Sequence, residues 1–313
     1  MAALSLLESA KTMPAGPERG IIQTYASSYH PLSVMPIQDA PTGVSAWSVE
    51  DQLPHTSGGF RNVNGSWTST VSQITPYSET AKIAGGRVQV DRFIETTNPT
   101  RVAAEKAAQI KAMALLWTKG MFQGQGGTYL KGIDYWIDNV PAYASQNVDA
   151  GTASAGALLQ TDHLDKLLNK VNAIPGSTFI YMFDQVGLRA RKLARGSLVG
   201  TSGTDAFYNI QFSPEQWGYF AGRYDDYPII VLKDGKGKDI LDPISGSDDS
   251  SCSVYAVTYG VDQFSGFQVK PPTVIPLTQA DVYNYFDLEW YAWCAPLAIR
   301  SIARLRYVEN ATA

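Results

Sequence analysis

The side chains best suited to proton transfer near neutral pH are the three histidines, His30, His55 and His163. They fall in an N-terminal arm, a loop and a helix start, so neither a catalytic triad nor a three-histidine metal site is expected, because both need convergent geometry. Asp248 and Asp249, with Asp234, Asp239 and Asp242 nearby, lack the regular spacing of a calcium loop and read as a solvated acidic loop. The glycines of GQGGTYLKG (124–132) suggest a phosphate cradle, yet no Gly-Lys-Ser/Thr follows and the segment leaves a helix instead of opening one. Cys252 and Cys294 have neither metal-ligand spacing nor the number needed for a disulfide framework. No catalytic, cofactor-binding or metal residue is therefore assigned. Two basic clusters remain: Arg189, Arg191, Lys192 and Arg195 on one short helix, and Arg300, Arg304 and Arg306 along the final strand. Without interleaved aromatics for base stacking they read as ion-pairing groups, within the fold or to a neighbouring subunit, with Asp91, Glu95 and Glu289 as partners.

The element that must organise the chain is Thr100 to Gln123, the one long uninterrupted helical pattern. Ala103, Ala107, Ile110, Ala114, Trp117 and Met121 recur in steps of four and three, which keeps them on one stripe for packing. Asn98 and Thr100 offer capping oxygens around Pro99, and Gly120 and Gly124 supply the stop. A helix of that span is about 36 Å long. We read it as a spine, its opposite face carrying Lys106 and Lys111.

The rest of the composition agrees with a loop-rich α+β protein or an assembly subunit. The 313 residues are 44% hydrophobic and only 17% charged, with net charge −4, which argues against a disordered chain and against a basic nucleic-acid binder. Twenty-seven Gly, 17 Pro, 17 Tyr and 7 Trp indicate many turns and strands and much aromatic contact surface. The first residues lack the pattern of a secretory signal, and no run of about 18 apolar residues occurs.

In chain order, residues 3 to 13 and Pro17 to Tyr25 read as two short helices of an arm that lies across something else. A strand-like run, Val44 to Glu50, precedes a polar, glycine-rich stretch, 51 to 81, in which Phe60, Trp67, Ile74 and Tyr77 stand isolated. Such a stretch predicts a projecting hairpin or loop whose aromatics are inter-subunit contacts. Lys82 to Ile94 returns as a strand, interrupted at Gly85-Gly86 where a bulge or hinge is expected; Gly124, Gly126 and Gly127 are the other hinge candidates. A strand is predicted near Tyr135 to Ile137, then a helix through Leu164, Leu167 and Val171, a strand at Thr178 to Met182 and a helix from Asp184. Further strands are predicted at Tyr208 to Phe212, Ile229 to Lys233 and Ser253 to Tyr259, and a terminal pair at Val282 to Trp293 and Ile299 to Tyr307.

This order of parts, with KIAGGRVQVDRFI (82–94), AMALLWTKGMFQG (112–124) followed by Gly132-Ile133, and EWYAWCAPLAIRSIARLR (289–306), resembles the major capsid proteins of tailed bacteriophages, which share the Hong Kong 97 phage fold. The resemblance covers essentially the whole chain. It implies an N-terminal arm (1–44), an extended loop with its flanking strands (45–94), a peripheral domain on the spine helix (95–132), an axial domain (133–275) and terminal strands completing the peripheral domain (276–313). It also implies a non-enzymatic shell subunit without cofactors. Many copies would assemble as pentamers and hexamers in the host bacterial cytoplasm into the icosahedral head of a virion. A portal protein, scaffold and decoration proteins, and non-specific contact with packaged double-stranded DNA are the implied partners; no membrane is. The arm begins at once, leaving no room for the cleavable N-terminal region of some members, and no motif assigns Lys82 and Asn310 to a cross-link. The alternative readings are an encapsulin-like bacterial nanocompartment shell and, from another class, a soluble α+β hydrolase.

Overall fold

The computed structural model describes residues 4–5, 29–52, 63–65, 73–152, 155–199, 211–214, 220–234, 237–244, 251–277 and 283–310. Its strands are β1 (Leu4–Ser5), β2 (Pro36–Asp39), β3 (Val44–Gln52), β4 (Gln73–Thr80), β5 (Lys82–Asp91), β6 (Asn147–Asp149) and β7 (Thr178–Met182). They continue with β8 (Gln211–Pro214), β9 (Phe220–Tyr224), β10 (Tyr227–Val231), β11 (Ser251–Thr258), β12 (Phe264–Pro276), β13 (Tyr283–Pro296) and β14 (Ile302–Glu309). The helices are α1 (His30–Val34), α2 (Arg92–Thr97), α3 (Pro99–Gln123), α4 (Ile133–Asn139), α5 (Thr161–Lys170) and α6 (Asp184–Val199). Three sheets result: a five-stranded one in the order β1-β2-β12-β13-β5, a seven-stranded one in the order β6-β14-β11-β7-β10-β9-β8, and the two-stranded ribbon β3-β4.

The spine helix α3 forms for local reasons and is held by non-local ones. The Asn98 side-chain oxygen accepts from the Arg101 amide at 3.1 Å, Pro99 occupies the first turn where no N–H is needed, and Gly124 ends the helix. Ile110, Ala114, Trp117 and Met121 are buried, Ala107 is half-buried, and Ala103 is exposed. At its N-terminal end the packed stripe begins at Val102, which is buried, and not at Ala103. Lys106, expected on the outer face, lays its ammonium over the Phe286 ring of β13 at 3.5 Å from the centroid. Trp117 meets Trp290 of β13 at 5.2 Å between centroids, while Phe122, about one and a half turns on, meets Tyr181 of β7 and Tyr255 of β11 at 5.0 and 5.1 Å. One helix thus belongs to the cores of both large sheets.

Several sequence expectations are corrected. Leu4–Ser5 pairs antiparallel with β2 as a strand, not a helix; the remainder of the first arm helix and the second lie outside the described residues. The segment expected as a strand near Tyr135 to Ile137 is helix α4. Ile133, Trp136 and Ile137, all buried, follow helical spacing, and Gly132 and Asp134 suit the helix start. Strand β12 was not anticipated because Pro271 and Pro272 fall inside it, and its register against β13 shifts on either side of Lys270 to accommodate them. The terminal strands do not act as a pair: β13 joins the five-stranded sheet, whereas β14 joins the seven-stranded one between β6 and β11. The five-stranded sheet thus takes β12 from the stretch 133–275, and β14, from the stretch 276–313, joins the seven-stranded sheet.

That placement decides the partners of the final arginines. Arg304, 4% exposed, donates from Nη1 to Asp134 at 2.8 Å and to Asp138 at 2.9 Å, pairs again with Asp138 through Nη2, and donates from Nε to Asn147 at 3.2 Å. Arg306 donates to Asp149 at 3.0 Å, and Arg300 reaches the carbonyl of Asn169 at 2.7 Å, closing the C-terminal end of α5. Asp91 and Glu289 are not these arginines' partners among the described contacts, since they belong to the five-stranded sheet, and the Glu95 side chain lies outside the described residues. Burial works against the Arg304 charge, but Asp138 and Asp134 outweigh it and hold its pKa above the ordinary value. Asp134 is pushed above the usual carboxylate range by burial, with Arg304 opposing.

At the other end of the chain, His30 opens α1 and seats against β7. Its ring meets Phe179 edge-on at 4.8 Å, its Nδ1 lies 3.2 Å from the Tyr181 hydroxyl, and that hydroxyl lies 2.9 Å from the Tyr259 hydroxyl. Burial lowers its pKa to about 4.

Two outcomes follow from these contacts. Replacing Arg304 with Leu leaves Asp134 buried without its cation, and the expected cost is about 3–5 kcal/mol of stability, seen as a large drop in the denaturant midpoint. His30 binds a proton in the unfolded chain below pH 6.5 and in the folded chain only near pH 4. Its contribution is full above pH 6.5 and is lost as the pH falls towards 4, by up to about 3 kcal/mol. The denaturant midpoint of the wild type should therefore drop between pH 7 and 4.5 by more than that of His30→Gln; equal drops would show that His30 is not the source.

Candidate assembly surfaces

The β3–β4 ribbon is long, has little core of its own, and is clamped at one end. Val44 opposes Thr80 at the root and Gln52 opposes Gln73 at the far end of the ladder, which at the usual rise per residue is about 30 Å away. At the root, Trp47 and Tyr77 meet Trp136 of α4 at 5.4 and 6.3 Å between centroids, and Tyr77 also meets Tyr143 at 6.2 Å. The Tyr143 hydroxyl donates to the Pro296 carbonyl at 2.6 Å, and Trp293 Nε1 donates to the Ser45 hydroxyl at 2.7 Å. Glu79, only 3% exposed, pairs with Lys131 at 2.5 Å and lies 4.0 Å from Lys82, whose ammonium donates to the Gly127 carbonyl at 2.9 Å. The root is thus fixed by aromatic packing and by a buried carboxylate between two lysines.

The structure separates the predicted contact residues. Phe60 and Trp67 lie outside the described residues, as do the side chains of Arg191 and Arg195; Arg189 is half-buried on α6. Ile74 is 57% exposed on β4. Tyr77, expected as an inter-subunit anchor, instead packs within its own subunit, because alternate residues of β4 face opposite ways and its side faces α4. The residues that complete this root, Trp47, Glu79, Lys131, Trp136 and Tyr143, carried only one signal in the sequence: the helical spacing of Ile133, Trp136 and Ile137.

The hinge glycines have other geometric duties. β5 pairs with β13 in unbroken register through Gly85 and Gly86, so the expected bulge is absent. A Cβ at Gly85 would strike the Leu288 carbonyl oxygen and one at Gly86 the Gln109 side chain of α3, so both permit close approach. They leave a shallow depression of about 430 Å³ on the sheet beside Ile83, Asp287 and Glu289. Gly126 and Gly127 take φ of +79° and +69°, building a turn closed by Gly126 N–H to the Leu130 carbonyl (3.1 Å) and Gly132 N–H to the Gly124 carbonyl (2.8 Å).

Several of the groups considered for chemistry have structural partners among the described residues. His163 Nδ1 accepts from the Gln160 amide at 3.3 Å at the start of α5, and His55 lies outside the described residues. Of the acidic run, Asp239 accepts from the Asp184 amide at 2.9 Å and Asp242 pairs with Lys119 at 2.5 Å, while Asp248 and Asp249 are outside the described residues. Cys252 and Cys294 are buried and free, and burial raises both thiols above their ordinary pKa. Among the described residues no three His, Cys, Asp or Glu gather to hold a metal, and no helix is long and apolar enough to cross a membrane.

No protein-family model and no curated protein matches the sequence. Solved structures do match, over nearly the whole chain. The SrpI encapsulin from Synechococcus elongatus superposes with a TM-score of 0.63 at 13% identity, covering 99% of this chain and 97% of that one. The capsid of a native GTA particle gives 0.60 at 12% identity, with 91% and 90% covered. The capsid of cyanophage A-1(L) gives 0.60 at 12% identity, with 90% and 92% covered. Helix and strand, arm, ribbon, spine helix and two large sheets occur in one polypeptide whose length these proteins match. The chain therefore has the Hong Kong 97 phage fold, shared by the capsid and encapsulin subunits it superposes on.

Proposed function

We propose that the chain is a major capsid protein: a non-enzymatic subunit, many copies of which form the icosahedral head shell of a tailed phage around double-stranded DNA. The observation that carries this reading is the end-to-end superposition on shell subunits, with 90–99% of each chain covered. A ribbon with a fixed root and little core of its own supports it, since such a ribbon is stabilised by lying on a neighbour. In this reading copies meet as pentamers and hexamers, a portal protein occupies one vertex, scaffold and decoration proteins are further partners, and DNA contact is weak and non-specific. The virion head is its place, after assembly in the bacterial cytoplasm. The basic residues of α6 are candidates for contact between copies.

A second reading, a nanocompartment shell enclosing protein cargo, is favoured by the 99% and 97% coverage in the encapsulin superposition. Purified particles separate the two: packaged DNA supports the capsid, and a co-purifying enzyme with no DNA supports the compartment. Shell formation itself is checked by sedimentation, where megadalton particles are expected; a chain that runs only as a small oligomer at every concentration would refute both. Replacing residues 53–72 by a short Gly-Ser turn should leave β3, β4 and the root intact and give folded subunits that no longer form shells. Wild-type particle yield from that variant would remove the ribbon from the assembly mechanism.

A further inference from the structure

The helix α1 and the strand β2 that follows it are held to the body by different means. Five residues are too few to hold a helix in water, so α1 exists because it is docked. Leu32 and Met35 are fully buried, and Tyr29 is buried beside them. A polar contact of the seat is made by His30, whose Nδ1 lies 3.2 Å from the Tyr181 hydroxyl of β7, itself 2.9 Å from the Tyr259 hydroxyl of β11. β2 is held by a backbone ladder instead. Ile37 to Asp39 pair with Gly266 to Gln268 of β12, the Ala40 amide donates to the Gln268 carbonyl at 2.8 Å, and Gln268 Nε2 donates to Asp39 at 3.0 Å. Between the two elements Met35 is extended, the conformation favoured before a proline, and forms a joint.

With the imidazole neutral, the three polar groups of the seat can satisfy one another: Tyr259 donates to the Tyr181 oxygen, and Tyr181 donates to Nδ1. Protonation turns both ring nitrogens into donors, so Nδ1 no longer accepts and the chain of bonds must reverse. It also puts a positive charge into a buried place. The titratable groups around the ring offer it no anion. They are Tyr181 of β7, Tyr259 of β11 and, beside Tyr259, Cys294 of β13, and burial raises the pKa of all three. Phe179 of β7 meets the ring edge-on, and Phe122 of α3 packs on Tyr181. On β2 the Asp39 carboxylate faces Gln268, and among the described contacts neither it nor another ionised group reaches His30.

We propose that His30 is a proton-operated latch: neutral, it holds α1 against β7, and protonated, it lets α1 lift about the joint at Met35 while β2 stays in its ladder. The device lies within one chain and does not depend on shell assembly. An unseated ring binds a proton near pH 6.5 and the seated ring near 4, so the unseated fraction rises about twentyfold from pH 7 to pH 5. The fully buried Leu32 still favours the seated form, so protons set how often α1 opens.

Hydrogen exchange on the full chain at pH 7 and pH 5, corrected for the intrinsic rate at each pH and repeated at several low urea concentrations, tests the latch. The reporters are a peptide covering 30–35, in which the Leu32 and Met35 amides donate to the Tyr29 and Pro31 carbonyls, a peptide covering 37–40, and the buried strand β11. We expect protection in 30–35 to be lower than in the other two, to fall about twentyfold at pH 5, and to vary little with urea, because lifting one short helix exposes little surface. His30→Gln should show no such fall with pH. His30→Phe, which fills the seat without a titrating nitrogen, serves in its place if the glutamine variant does not fold. Equal protection of 30–35 at the two pH values would overturn the latch. Exchange of 30–35 in step with 37–40, or with the steep urea dependence of β11, would overturn it too, since α1 would then open only with its neighbours. A fall undiminished in the variants would assign the effect to another group.

Discussion

The architecture depends on one helix having to bury two different surfaces. Along its middle α3 sets Ile110 and Trp117 against the five-stranded sheet, where Trp117 meets Trp290, and at its end Phe122 enters the aromatic cluster of Tyr181 and Tyr255 in the seven-stranded sheet. A buried aromatic removes a large apolar area from water, on the order of 2–3 kcal/mol for a fully buried ring. With such rings one turn and a half apart, the two sheets are anchored to a single rigid rod. Gln123 extends the same anchorage by exchanging hydrogen bonds with the Asp242 backbone, at 2.7 and 2.8 Å. The buried residues of both sheets consequently join in one continuous core.

Around that rod, buried charge fixes orientation where apolar packing would permit sliding. Arg304 holds α4 to β14 through Asp134 and Asp138, and the hydroxyl of Tyr255 donates to the same Asp134 at 3.1 Å. Glu79 ties the ribbon root to Lys131 in the glycine-rich turn that follows α3. The Arg304 arrangement satisfies its ions with several directed hydrogen bonds and the Glu79–Lys131 pair is a close ion contact, and a displaced helix or ribbon would lose them. The body and the ribbon root are thus fixed by contacts within the one chain.

The exposed apolar residues and unpaired strand edges are of another kind. Val44, Ile74 and Ile83 are exposed, and among the described residues β3 and β4 pair only with each other and β5 has a partner strand on one side. These features are costly for an isolated monomer and ordinary for a surface that copies share. They belong to a chain that superposes on capsid and encapsulin subunits at only 12–13% identity, so the fold is shared while most side chains differ.

The sequence by itself determined what depends on neighbours along the chain. The spine helix was legible as 100–123 and is 99–123, because apolar spacing, a capping Asn and terminal glycines act within a few residues of each other. The order of ribbon, spine helix and later strands was legible through the family resemblance. Tertiary structure alone decided which strands lie side by side. β13 and β14 are consecutive yet enter different sheets, Tyr77 turned inward to Trp136, and the arginines of β14 found Asp134, Asp138 and Asp149 in place of the carboxylates proposed for them. Strand pairing is a contact between segments far apart in sequence. Periodicity reports which residues share a face, but the identity of the strand or helix opposite that face depends on how the whole chain closes around its helix.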